Sequence, residues 1–257
     1  MFTQPSVDTV SHGPSAVGLD LGGASIRVWA SGHGMLQLGY PATPPAAGPG
    51  PVVRGRITDP AAMWALLSGL RAGRRRPLPG GAIVVACRPV GSDTSVESAV
   101  RGVVTTVFEP ERLLFIDTVR AAAIGAGATS SPLLIADIGA HLTEVAVLAD
   151  GLTVAARRRD VGLHDAGGPD PDAAVVAAVA DLVRQVCRQA GDRQAVAAAV
   201  RGGLLLVGGG ASRPRLAARI AGTAGTPVRR PAAPHLAAAR GAGLAALAAL
   251  RRGAMRP

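Results

Sequence analysis

Val17-Gly18-Leu19-Asp20-Leu21-Gly22-Gly23 is an apolar strand that ends in an aspartate and a glycine turn, and the chain repeats this plan at Leu134-Ile135-Ala136-Asp137-Ile138-Gly139-Ala140. The two aspartates lie 117 positions apart (137 − 20), and a second apolar strand follows each turn. Such a turn directs backbone N–H groups into a cavity beside a carboxylate, an arrangement suited to phosphate oxygens and a divalent cation. Two such turns facing each other would hold a nucleoside triphosphate.

Composition excludes several kinds of site. All 27 basic residues are arginine, because the sequence contains no lysine, and this rules out a P-loop lysine and a Schiff-base lysine. The formal net charge is +10, but the arginines are scattered in small groups, and only three Phe, two Trp and one Tyr are present to stack on bases. We therefore expect solvated positive surfaces and no specific binding of nucleic acid.

The cysteines and histidines form no metal-binding or redox pattern. Cys87 and Cys187 are far apart in the sequence, as is typical of buried thiols in a reducing compartment. The five histidines make no His-x-x-x-His arrangement, so a structural zinc site is not expected. These features favour a cytoplasmic location.

The sequence predicts neither a secretion signal nor a membrane span in the two terminal segments. Residues 1–14 lack a basic start and an apolar stretch, and we expect them to be a disordered lead-in. The apolar segment Leu236 to Leu250 is interrupted by Arg240 and two glycines, so it is not expected to cross a bilayer. We favour packing of this segment on its own domain, with peripheral contact to anionic lipid as the alternative.

Apolar periodicity predicts that one order of elements occurs twice in this α/β chain. Three short strands are predicted over 15–38, and a Pro- and Gly-rich linker follows at 40–50. Strands that alternate with helices indicate parallel pairing with helical crossovers. The predicted lobes are residues 15–128 plus 231–252, and residues 129–230. The predicted helices are 59–70, 94–107, 119–128, 171–189, 195–201, 213–220 and 236–250.

Five short motifs, in order, resemble those of the actin-superfamily ATPases, most closely the MreB-type bacterial actins. They are similar to the two phosphate motifs, the adenosine motif and the two interdomain helices of that family. The segments that carry the resemblance are Asp20-Leu21-Gly22, Asp137-Ile138-Gly139 with Thr143-Glu144-Val145-Ala146-Val147, residues 205–211, residues 121–127 and residues 239–243. The resemblance covers about residues 17 to 250. It implies an actin-like ATPase fold with two duplicated ribonuclease-H-like lobes and a nucleotide cleft between them.

The resemblance also implies roles for individual residues. Asp20 and Asp137 would be the catalytic and magnesium-binding carboxylates, acting on ATP or ADP with Mg²⁺ from opposite walls. The residues that would border the phosphates or the adenosine are Gly22, Gly23, Gly139, His141, Thr143, Gly208, Gly209 and Gly210. The alternative interpretation is that the glycines only form tight turns and the aspartates only cap them.

Two departures from the family pattern affect these expectations. Where the family has two glycines and a threonine, this chain has Ala140, His141 and Leu142, which favours weakened phosphate binding, a preference for a diphosphate, or no binding. An imidazole at His141 would otherwise donate a hydrogen bond to phosphate. Thr118 replaces the family's water-polarising Glu or Gln, and Asp117 is one residue out of register, which is roughly 100° around the helix. We therefore expect weak or absent hydrolysis.

The family's two small subdomains have no counterpart of similar length in this sequence, where short linkers stand near Tyr40 to Val53 and near Gly191. The resemblance thus implies a reduced MreB-like protein, a nucleotide-binding cytoskeletal or cell-shape and cell-wall morphogenesis factor. The implied partners are cell-shape or cell-wall assembly proteins and other copies of the chain. The alternative is a nucleotide-free scaffold with the same fold. A small-molecule kinase or a heat-shock-type chaperone is less favoured, because little sequence remains for a substrate or peptide domain.

Overall fold

Strands and helices alternate through both halves of the chain in the computed structural model, which describes residues 15–40, 50–73, 78, 80–128, 131–165 and 169–254. The expected lead-in, residues 1–14, and most of the linker, residues 41–49, lie outside the described residues. The elements of the first half are β1 (Ala16–Leu21), β2 (Ser25–Ala30), β3 (Gly34–Gly39), β4 (Val52–Val53), β5 (Arg56–Ile57), α1 (Pro60–Ala72), β6 (Ile83–Arg88), α2 (Thr94–Phe108), β7 (Arg112–Asp117) and α3 (Thr118–Gly125).

The second half repeats this plan without the small β4–β5 hairpin. Its elements are β8 (Leu133–Ile138), β9 (Thr143–Ala149), β10 (Leu152–Arg159), α4 (Ala173–Gln189), α5 (Arg193–Arg201), β11 (Leu204–Val207), α6 (Pro214–Ala224), β12 (Val228–Arg229) and α7 (Ala237–Ala254). Between α4 and β11, the only regular element in the described residues is the nine-residue α5.

Each half forms a five-stranded sheet with the same strand order, β3-β2-β1-β6-β7 in the first and β10-β9-β8-β11-β12 in the second. The first three strands of each half pair antiparallel as a meander, and the later strands join in parallel. The parallel strands need helical crossovers, and α1, α2, α4, α5 and α6 supply them. The duplicated α/β architecture predicted from the sequence is therefore confirmed.

Local sequence determines where the helices begin and end. Asp59 caps α1 by accepting a hydrogen bond from the Ala62 N–H at 2.9 Å, and Pro60 occupies the first turn, where no N–H is needed. The helix predicted over 119–128 ends three residues earlier than expected, at Gly125, because Gly127 has a φ of +67° that does not continue a helix. The helix predicted over 213–220 instead extends to Ala224. Gly225, which follows it, has a left-handed backbone conformation that ends the helix.

Three apolar clusters form the interior. One lies around α1 and α2 with β1 and β6, and a second lies around α4 and α6 with β8 and β11. The third contains residues of both sheets together with α3 and α7, so the two halves share this cluster. Cys87 belongs to it and is buried, as predicted, whereas Cys187 is only partly buried.

Helices α3 and α7 cross at two glycines. A Cβ atom at Gly125 would overlap the carbonyl oxygen of Ala237, and one at Gly241 would overlap the carbonyl oxygen of Ala121. The two backbones can therefore approach this closely only because both positions lack a side chain. Helix α7 also packs on β1, where Gly18 lies directly against Gly243. Among the described residues, no helix is long and apolar enough to span a membrane.

Candidate functional site

A cleft opens between the two sheets, beside the carboxyl ends of β1 and β8. It contains about 1060 Å³ of space, including space open to solvent. Eight of the ten residues predicted from the sequence line it together: Asp20, Gly22, Gly23, Asp137, Gly139, His141, Gly208 and Gly209. Ligand sites of parallel α/β sheets lie at this end of the strands.

Thr143 and Gly210 do not line the cleft. Thr143 is fully buried, and its hydroxyl donates to the carbonyl oxygen of Val161 at 2.7 Å. Gly210 is buried against Ile138, whose side chain a Cβ atom would overlap. In this structure the two residues hold neighbouring segments in place, and a contact with nucleotide stays a prediction for both.

The two glycine turns have matching geometry. The Gly22 N–H donates to the Ser25 carbonyl at 3.1 Å, and the Gly139 N–H donates to the Leu142 carbonyl at 2.8 Å. In the described part of the chain, no acceptor pairs with the backbone N–H of Gly23 or of Ala140, although Ala140 is buried. A buried N–H group usually has a partner, so the Ala140 donor, together with the half-buried Gly23 donor, is suited to an anion bound between the turns.

Arg27 adds a positive charge to this wall of the cleft. It lies opposite Asp20 in the β1–β2 register, and its Nη1 donates to Asp20 Oδ2 at 3.1 Å. Only 14% of the Arg27 side chain is exposed, and its Nε is buried without a partner among the described residues. Arg27 is not among the residues predicted from the sequence, although a single charged residue in an apolar strand beside a phosphate turn is a signal for such a role.

Asp137 and Glu144 form the equivalent register pair on β8 and β9. Glu144 is 4% exposed, and its Oε1 accepts a hydrogen bond from the Val90 N–H at 2.6 Å. Burial, and then the negative charge of Asp137, raise the pKa of Glu144 to about 8. Burial, and then the charge of Asp20, raise the pKa of Asp137 to about 7, while Arg27 opposes this shift. The cleft therefore holds carboxylates that a bound cation would stabilise in their ionised forms.

The residues present fit a magnesium ion that is shared with phosphate. Among the described residues, no group of three or more His, Cys, Asp or Glu side chains could enclose a metal by itself. Mg²⁺ is usually bound by one or two carboxylates, with water and phosphate oxygens completing its shell. Asp20 and Asp137, on facing walls of the cleft, supply this number of carboxylates.

His141 lies at the tip of the second turn and contacts the first. Its Cδ2 is 3.0 Å from the position that a Cβ atom at Gly23 would take. Its Nδ1 is 3.6 Å from Asp165 Oδ1, and its ring packs edge-on against His164 with 5.2 Å between centroids. Burial, followed by the proximity of His141, lowers the pKa of His164. His141 was predicted from the sequence, but His164 and Asp165 were not, because they approach His141 from a later loop.

The residues at the start of α3 offer no base for a water molecule. Thr118 lines the cleft, but its hydroxyl donates to the Arg88 carbonyl at 3.0 Å. Asp117 does not line the cleft: its carboxylate pairs with Arg88 Nε at 3.3 Å and accepts a hydrogen bond from Thr153 at 3.2 Å. This placement agrees with the expected rotation of Asp117 away from the site.

The similarity of this chain to known proteins lies in its structure. The sequence matches no protein-family model and no curated protein. The structure is similar to MreB5 of Spiroplasma citri bound to ADP, with a TM-score of 0.78, 18% identity, and coverage of 95% of this chain and 99% of that chain. The AMPPNP-bound form of MreB5 gives a TM-score of 0.78 at 17% identity, covering 94% and 99% of the two chains.

Two further structures have the same architecture. A MamK double helical filament gives a TM-score of 0.72 at 14% identity, with coverage of 95% of this chain and 100% of that chain. The ethanolamine utilization protein EutJ from Carboxydothermus hydrogenoformans gives 0.65 at 19% identity, with coverage of 90% and 89%. At identities this low, the structural similarity establishes the fold alone. Together with the duplicated sheets and the cleft between the lobes, it shows that the chain has the actin-like ATPase fold.

Proposed function

We propose that the cleft binds ATP or ADP with Mg²⁺. The observation that carries this proposal is the pair of facing turns, which bring together two unpaired N–H donors, the Asp20 and Asp137 carboxylates and the Arg27 guanidinium. The N–H donors and the Arg27 guanidinium suit the negative charge of a polyphosphate, and the two carboxylates suit the Mg²⁺ that is bound to it. The likeness to MreB5 structures bound to ADP and AMPPNP supports the same assignment.

Each cleft residue has a distinct task in this proposal. Asp20 and Asp137 would hold Mg²⁺ directly or through its water molecules, and Mg²⁺ would supply neutralising charge to the phosphates. Gly22 and Gly139 would let the backbone approach the phosphate oxygens closely. Arg27 would bind the phosphate nearest Gly22, because its Nη1 lies 3.4 Å from the position of a Cβ atom there. Gly208 and Gly209 would border the adenosine.

We infer weak or absent hydrolysis of the bound nucleotide. An attacking water needs an acceptor for its proton, and the cleft-lining side chain at the start of α3 is a threonine whose hydroxyl is already bonded to a backbone carbonyl. Asp117 is turned towards Arg88 and Thr153. The protein would therefore use nucleotide as a bound ligand that stabilises one arrangement of the two lobes.

The biological role that fits this site is that of a cytoplasmic, actin-like cytoskeletal protein. Its lobes would be residues 15–128 plus 231–252 and residues 129–230. A filament of MamK and nucleotide-bound MreB5 are among the similar structures, which supports self-association and nucleotide binding here. A part in cell shape or cell-wall assembly, with protein partners at the membrane periphery, is the finer form of the proposal.

A scaffold that binds no nucleotide is the second candidate. The observation in its favour is the imidazole of His141, which lies between the turns where the family pattern has glycine. Such a protein would keep the fold for partner binding and leave the cleft without a ligand.

Calorimetry with Mg²⁺ and ADP or ATP separates the two candidates. Saturable binding to the wild type that is lost in Asp137→Asn, but kept in the exposed control Asp160→Asn, is the expected result. Absence of binding to the wild type at millimolar nucleotide would contradict nucleotide binding and favour the scaffold.

A further inference from the structure

The space between the two turns is occupied by an imidazole. The His141 ring reaches from the second turn to the first, and any side chain at Gly23 would start 3.0 Å from its Cδ2 and 3.5 Å from Ala140 Cβ. Only 16% of the His141 side chain is exposed. The two walls of the cleft are thus in contact at this point.

The ring is held by a later loop. Asp165 Oδ1 lies 3.6 Å from His141 Nδ1, and Asp165 Oδ2 accepts a hydrogen bond from the Gly162 N–H at 2.9 Å. The His164 N–H donates to the Ala140 carbonyl at 2.8 Å, so this loop is hydrogen-bonded to the second turn itself. The His164 ring then packs against one edge of His141. Contacts on several sides restrict the ring to this orientation.

A residue of the opposite lobe completes the arrangement. The turn between β4 and β5 places Arg54 with its Nη2 3.8 Å from Asp165 Oδ1. Arg54 has a φ of +52° and is followed by Gly55 at +75°, which is the backbone of a tight two-residue hairpin turn. Asp165 therefore lies between Arg54 and His141, and its Oδ1 is close to a nitrogen atom of each.

We infer that His141 makes the cleft selective for a nucleoside diphosphate over a triphosphate, an inference that rests on the nucleotide binding proposed above. With an adenosine at Gly208, two phosphates would be bound by Arg27 and the Gly22 turn, and this binding would need no movement of the imidazole that lies against Gly23. A third phosphate has to enter the gap between Gly23 and His141. It must displace the ring from its contacts with Asp165 and His164, and that displacement weakens triphosphate binding.

The test measures ADP and a non-hydrolysable ATP analogue, each with Mg²⁺, on three proteins by calorimetry. The wild type is expected to bind ADP about tenfold or more tightly than the analogue, the size of effect that forced repacking produces. His141→Gly removes the ring and should raise affinity for the analogue by about tenfold, with little change for ADP. His33→Gly is the control, since His33 lies in the β2–β3 turn outside the cleft.

A second variant distinguishes an effect of the imidazole from an effect of altered folding. Asp165→Ala keeps the imidazole but removes its carboxylate partner, and it should raise affinity for the analogue less than His141→Gly does. Equal wild-type affinities for the two nucleotides, or weaker analogue binding in His141→Gly, would overturn the inference and leave nucleotide binding intact. No binding of either nucleotide to any of the proteins would contradict the proposed function, and the inference with it.

Discussion

Glu144, on the second sheet, accepts a hydrogen bond from the backbone N–H of Val90, in the turn that follows β6 of the first sheet, at 2.6 Å. This bond joins the two lobes at the floor of the cleft, in a place shielded from water. A hydrogen bond to a buried carboxyl group is worth more than one at the surface, because removing it leaves both groups without a partner. Glu144 is therefore placed to stabilise the observed arrangement of the two lobes.

The stability of the nucleotide-free protein should fall as pH rises from about 5 to about 8. The folded protein keeps the Glu144 proton up to a pKa of about 8, whereas the unfolded chain releases it near the ordinary value of 4.5. The folded state binds more protons across this window, so the free energy of unfolding decreases with pH. Denaturant unfolding at a series of pH values measures this slope.

Glu144→Gln should reduce that pH dependence, since its amide does not titrate, and should leave the part that comes from Asp137, whose pKa is also raised. Glu111→Gln, at an exposed position on the first lobe, is the matched control and should keep the wild-type slope. An unchanged slope in Glu144→Gln would show that this carboxyl group is not the source.

Arg27→Gln should weaken binding of ADP and ATP alike, by about tenfold or more, because charge-assisted hydrogen bonds contribute roughly 1.5–3 kcal/mol. Both nucleotides carry the phosphate that lies nearest Gly22, so their ratio of affinities should not change. Arg157→Gln, at an exposed position on β10, removes the same charge away from the cleft and should leave binding unchanged. A selective loss of only one nucleotide would contradict the place given to Arg27.

Gly125→Ala should destabilise the protein by about 1–3 kcal/mol or more, because the added methyl group would overlap the Ala237 carbonyl where α3 and α7 cross. Gly102→Ala is its control on an exposed face of α2, where a Cβ atom meets nothing within 4 Å. Helix propensity alone predicts that this control gains up to about 1 kcal/mol. Unfolding midpoints for the two variants should therefore move in opposite directions, and a stabilising Gly125→Ala would contradict the observed crossing.

Tyr40→Phe should lower the free energy of unfolding by about 1 kcal/mol. The Tyr40 hydroxyl donates to the Gly22 carbonyl at 2.7 Å and so supports the first turn from behind. Burial, and then the charge of Asp20, raise the pKa of this hydroxyl well above its usual value, so it stays a donor throughout the accessible pH range. Chemical denaturation compares the variant with the wild type, and equal stabilities would show that the bond contributes nothing.

Local patterns were sufficient to predict the strands and the two aspartate turns. Asp20 and Asp137 each follow a run of apolar residues and precede glycine, so their position at a strand end is a local property of the sequence. The end of α3 was misplaced, because small residues continue the helical pattern past Gly127, whose positive φ stops it.

Contacts between distant segments were not predictable in the same way. Asp165 reaches His141 from 24 positions away, and Glu144 meets Val90 across the lobes. Nothing in the periodicity of a strand indicates from which backbone N–H a buried carboxylate will accept a hydrogen bond. Arg27 is the exception, since its register with Asp20 follows from the hairpin that the glycine turn predicts.

Phosphate binding between the two turns is tested most stringently by the structure of the protein with Mg²⁺ and a non-hydrolysable ATP analogue. The measured quantity is the set of distances from the terminal phosphate oxygens to the backbone nitrogens of Gly23 and Ala140. Hydrogen-bond distances of about 2.7–3.2 Å, with Mg²⁺ between Asp20 and Asp137, are the predicted result. The analogue bound elsewhere, with the two turns still in contact through His141 and both nitrogens without a ligand, would contradict phosphate binding between the turns.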